Sequence, residues 1–93
     1  MPPKSRQIRH NATSHRFEYE EETYLCVLEY VRTNDSVTFT HTGVPPPVER
    51  RGIAADLTEA GLQWARRNKL RVVPACSYVA AYIRRNPEHQ DLL

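Results

Sequence analysis

Three consecutive prolines, Pro45 to Pro47, constrain this chain more than any other feature. A proline ring fixes φ and removes the amide donor, so neither an α-helix nor a central strand can run through them. They divide the chain into two stretches with different hydrophobic periods. Before them the residues alternate; after them, from Gly52 onward, the apolar positions recur at helical spacing.

In the first stretch, "RFEYE" sets Phe17 and Tyr19 on one face and Glu18 and Glu20 on the other, predicting a half-buried strand. Glu21-Glu22 marks a turn. "TYLCVLEYV" is rich in β-branched and aromatic residues and predicts a second, more central strand. Asn34 and Asp35 supply the next turn. "VTFTHT" predicts a third strand, with Val37, Phe39 and His41 on one face and Thr38, Thr40 and Thr42 on the other; Gly43 and the prolines end it.

In the second stretch, Ile53, Leu57, Ala60, Gly61 and Trp64 share one helical face, and Asp56, Glu59, Gln63 and Arg67 the other. "LRVVP" is a short apolar strand, parallel to the third because a helix crossover joins them. "SYVAAYIRR" predicts a second helix with Val79, Tyr82 and Ile83 inward, stopped at Asn86-Pro87. The order β-β-β-α-β-α gives an α+β fold. Residues 7–93 are expected to form one domain, preceded by a disordered tail over residues 1–6.

At 93 residues the core must be small. No apolar run approaches the roughly 20 residues of a membrane span, and no apolar segment follows the basic N-terminus as a secretory signal requires. Cys26 and Cys76 are far apart and show no metal-ligand spacing with the histidines, so no metal is expected. Reduced thiols in a cytoplasmic protein are the default. Net charge runs +4 over residues 1–16, −6 over 17–49 and +4 over 50–93. A nucleic-acid partner normally demands a stronger one-sided excess.

The segment "VPPPVERRGIAADL" admits two readings. A helix beginning near Gly52 exposes its first amides and the positive end of its dipole, a natural phosphate site. Gly52, Ala54 and Ala55 are small enough for close approach, and Arg50 and Arg51 could add charged contacts. A proline-stiffened turn before a helix explains the same residues. The Gly-Lys-Ser/Thr of a nucleotide P-loop and the glycines of a dinucleotide fingerprint are both missing.

"HTGVPPPVERRGIAADL", "ARRNKLRVVPACSYVAAYIRR" and "NPEHQDLL" together resemble the small, truncated family of GCN5-related N-acetyltransferase-like proteins, over roughly residues 10–93. The resemblance implies a minimal acetyltransferase core, acetyl-coenzyme A as acyl donor and an unidentified amine as acceptor, on a small molecule or a protein. The alternative is a module that binds coenzyme A without turnover.

By this resemblance Glu49 to Ala54 form the phosphate loop, and the amides of Arg51, Gly52, Ile53, Ala54 and Ala55 hold the pyrophosphate. Val44, Cys76, Tyr78 and Tyr82 line the rest of the coenzyme site, and Arg85 or Arg84 reaches the 3′-phosphate. Glu49 stands where the wider superfamily has Arg or Gln, and Arg50 where glycine is usual. Gly43 replaces a glutamate of the small family, which removes an obvious base. Lys69 stands where a helix-ending glycine is expected, so Asn68 or Lys69 must take a left-handed cap.

Three residues are candidates for chemistry. Cys76 lies before a helix N-terminus, which favours thiolate and suits a transient acyl carrier, or it simply fills space. Tyr82 falls where the superfamily keeps a tyrosine that protonates the departing thiolate. His41, with Glu49 as rival, is the candidate base.

Overall fold

The computed structural model describes residues 6–93. One sheet contains β1 (Arg9–Asn11), β2 (Arg16–Glu21), β3 (Tyr24–Arg32), β4 (Ser36–Gly43) and β5 (Arg71–Pro74), in chain order across the sheet. Neighbours are antiparallel except β4 and β5, which are parallel. Helix α1 (Ile53–Arg67) makes the crossover between those two, and α2 (Ser77–Arg85) follows β5. The α+β architecture is the expected one, with β1 added at the edge. Arg9-His10-Asn11 is short and polar, so no hydrophobic period announces it; its pairing with Arg16 to Glu18 makes it a strand.

Alternate residues of β3, namely Cys26, Leu28 and Tyr30, are buried against the helices, whereas Leu25 and Val31 are exposed. From α1, Ile53, Leu57, Leu62 and Ala65 complete this core, and from α2, Val79 and Ile83 do so. The prolines exclude an α-helix yet open a single 3-10 turn, Pro46–Val48, with proline at its start. There the fixed φ suits the first turn and the missing amide has no partner to lose. At the other end of α1, Leu70 N–H reaches the Ala65 carbonyl at 2.9 Å and Lys69 N–H the Arg66 carbonyl at 3.1 Å. Lys69 takes the left-handed conformation at φ 56°, closing the helix as glycine usually does.

The third predicted strand departs from simple alternation. Glu29 pairs with His41 but Tyr30 pairs with Phe39, leaving Thr40 as an extra residue on β4. Such a bulge inverts the side-chain order beyond it. Thr42, opposite the buried Leu28, therefore follows Phe39 onto the helix side. His41 does not share the face of Val37 and Phe39, as alternation predicted, and is exposed.

Of the expected tail, residues 1–5 lie outside the described residues. Arg6, assigned to it as well, is instead anchored: its guanidinium donates to Asp56 and to the Arg51 carbonyl, each at 2.6 Å. Among the described residues no helix is long and apolar enough to cross a membrane.

Candidate functional site

A cavity of about 470 Å3 opens where the end of β4 meets the start of α1. Thr42 and Val44 form one wall, Glu49, Arg50 and Gly52 the loop, and Ile53, Ala54 and Ala55 the floor. Tyr78 of α2 closes the far side. The backbone explains why small residues and a glycine occupy the loop. Gly52 precedes α1 at φ 83°, a conformation that L-residues with side chains rarely adopt. Arg50 takes φ 65°, and so adopts without glycine's freedom the geometry that glycine would favour there.

The first ladder bond of α1 runs from Asp56 N–H to the Gly52 carbonyl, at 3.1 Å. The preceding amides, Ile53, Ala54 and Ala55, therefore have no acceptor within the helix, and no side chain caps this end. With the helix dipole they give the cavity floor a positive potential. Alanine at the second and third helical positions leaves that floor uncovered.

The loop is held from outside the cavity. Arg51 forms ion pairs with Glu21, at 3.1 Å, and Glu22, and donates to the Pro47 carbonyl at 3.3 Å. Its side chain is thereby committed to the β2–β3 turn. Of the two arginines expected to add side-chain contacts to an anion, only Arg50 lines the cavity.

A second feature adjoins the first. Strand β5 pairs with β4 only as far as Phe39 and Pro74, and Cys76 N–H makes the last link to the Phe39 carbonyl at 2.9 Å. Thr40 to Gly43 continue past it with β3 on one side and no β5 residue paired on the other. Such an edge can accept an extended, amide-bearing ligand as an added strand.

Cys76 stands at the mouth of this split, its Sγ 3.3 Å from Thr42 Oγ1. Burial pushes the thiol up, but hydrogen bonds from the Thr42 hydroxyl and from the amides of Val79, Tyr78 and Thr42 outweigh it. The net result holds Cys76 below the usual thiol range. Cys26, sealed in the core, is pushed up by burial.

The other sequence candidates lie elsewhere. The Tyr82 hydroxyl donates to Glu59 Oε1 at 2.6 Å, and burial together with that bond pushes its phenol far above the ordinary value. Glu59 also accepts from Gln63 at 2.8 Å and from His89 at 2.9 Å. Neither Tyr82 nor Arg85 is among the residues lining the cavity; Tyr78 is, with its phenol raised by burial. His41 projects from the opposite side of β4. A Cβ built on Gly43 would come 3.0 Å from His41 Nε2, so the imidazole occupies space that a side chain at position 43 would need.

Thr42 is the site residue that sequence reasoning missed. Strict alternation turns it away from Phe39, and only the extra residue Thr40 brings it round to Cys76.

The same fold is found in a solved structure. The solution structure of a GCN5-like protein from Staphylococcus aureus superposes with a TM-score of 0.74 at 22% identity, covering 97% of this chain and 89% of that one. The family model described as GCN5-related N-acetyl-transferase matches residues 16–92, which include every element from β2 through α2 and the 3-10 segment Pro87–Leu92 that follows it. The chain belongs to the GCN5-related N-acetyltransferase family.

Proposed function

We propose that this protein binds acetyl-coenzyme A in the cavity at the α1 N-terminus and transfers the acetyl group to an amine. The observation that carries the reading is the continuity of two features. Uncapped amides at Ile53 to Ala55 suit the pyrophosphate, and the β4 edge beyond Phe39, where no β5 residue pairs, suits the amide-bearing pantetheine arm. Arg50 adds a cation at the rim.

In the proposed reaction a neutral amine attacks the thioester carbonyl, and the tetrahedral adduct collapses by breaking the C–S bond. The amine proton passes to His41, whose imidazole lies over Gly43 where the family's glutamate would stand. The departing thiolate takes a proton from Tyr78, which lines the cavity, because the Tyr82 hydroxyl is engaged by Glu59. Transfer is direct, with the Cys76 thiol bordering the acyl arm.

Coenzyme A should raise the melting temperature, and acetyl-coenzyme A with a panel of amines should release free thiol. No melting shift at millimolar coenzyme A would refute the reading, since a bound ligand must stabilise the fold. Binding without thiol release for any amine would instead identify a coenzyme-binding module. Acetyl mass trapped on Cys76 would replace direct transfer with a two-step route.

A further inference from the structure

From the N-terminal segment, the Arg6 side chain reaches the back of the phosphate loop. The Arg6 guanidinium lies 5.6 Å from the centre of the Tyr19 ring, donates to the Arg51 carbonyl at 2.6 Å and forms an ion pair with Asp56 at 2.6 Å. It does not line the cavity, though its Nη1 comes within 3.7 Å of where a Gly52 Cβ would be.

Two of these contacts bear on anion binding. In a trans peptide the carbonyl and the following N–H point in opposite directions. Fixing the Arg51 carbonyl toward Arg6 therefore turns the Gly52 N–H away from Arg6, and Gly52 is a wall of the cavity. This matters in a turn that includes two left-handed residues, Arg50 and Gly52, with no side-chain cap to hold it. The second contact is electrostatic. Asp56 is the acidic residue in the first turn of α1, where its carboxylate opposes any phosphate drawn to the same amides. The ion pair with Arg6 cancels that charge.

We infer that Arg6 is a positioning residue of the coenzyme site, aligning the Arg51–Gly52 peptide and neutralising Asp56 from behind the loop. The inference rests on the reading that this cavity takes the coenzyme's pyrophosphate.

The test is calorimetric titration of coenzyme A into the wild type, Arg6→Gln, Asp56→Asn and the double variant R6Q/D56N, with the melting temperature of each recorded without ligand. Arg6→Gln should weaken binding about tenfold, as expected when a nearby cation is lost and a carboxylate unmasked. Adding Asp56→Asn should recover a substantial part of that loss. A purely structural staple would show no such recovery, because the double variant lacks the same hydrogen bonds. Arg6→Gln within twofold of wild type, or a double variant no tighter than Arg6→Gln, overturns the inference while the coenzyme reading stands. A wild type that does not bind coenzyme A overturns both, and that result appears before any variant is compared.

Discussion

At Cys76, two opposing effects act on one sulfur, and hydrogen bonding prevails over burial. The Thr42 hydroxyl is the side-chain part of that support. Thr42→Val keeps the shape and the amide donors but removes the hydroxyl. The thiol should then titrate higher, and its alkylation by iodoacetamide at neutral pH should slow several-fold. Cys26 should stay silent in the same experiment because it is fully buried. An unchanged pH profile of alkylation would mean that the hydroxyl does not support the thiolate. Across β4, His41 uses the space left by Gly43. If His41 is the base of the proposed reaction, His41→Ala should lower kcat, and Gly43→Glu, which displaces the imidazole, should keep turnover only by supplying a carboxylate in its place; an unchanged kcat in His41→Ala would remove His41 from the reaction.

The loop joining β4 to α1 carries the next prediction. Arg50 holds φ 65°, a conformation that costs a non-glycine residue about 1 kcal/mol or more. Arg50→Gly removes that strain but adds chain entropy to the unfolded state, for a net gain of about 0.5–1 kcal/mol. In a domain of this size the melting temperature should rise by roughly 2–8 °C. If the Arg50 side chain meets the ligand, coenzyme A affinity should fall in the same variant. Stability rising while binding weakens would distinguish a functional strain from an accidental one; a fall in stability would show that the backbone carries no such strain.

This is also the scale at which the sequence was most and least legible. Binary pattern located β2 to β5 and both helices, because each buries one face against a single core. The proline–glycine punctuation located the loop. The bulge at Thr40 was not legible, since one inserted residue leaves the local pattern of β4 unchanged and shows only in its pairing with β3. Nor was the role of Arg51, whose partners Glu21 and Glu22 lie about thirty residues away in a different turn. Tyr82 read as a cavity tyrosine from its place on α2, yet Glu59 of α1 holds its hydroxyl.

Over the whole molecule, the alternation of basic, acidic and basic stretches along the chain folds into paired charges. Arg9 and Arg16 meet Glu18, and Arg51 meets Glu21 and Glu22; within the last stretch itself Arg66 meets Asp91. Part of the cationic charge is thereby consumed in holding the sheet edge and the loop.

Glu18 is the most committed of the acids. It is 2% exposed and accepts from Arg9, Arg16 and Asn11, tying β1 to β2, and these bonds hold its carboxyl down at about 2 against burial. A carboxyl with a lowered folded value stabilises the native state fully above its unfolded value, near 4.5. That contribution disappears as pH falls from about 4.5 through about 2. Because Arg9 is largely exposed, solvent screening discounts it to about 1–2 kcal/mol. Glu18→Gln should therefore lower stability by about that amount at pH 7, with the difference from wild type vanishing toward pH 2. Parallel urea melts from pH 7 down to pH 2 would measure both. Curves that stay parallel across that range would show that the Glu18 charge does not hold the edge strand.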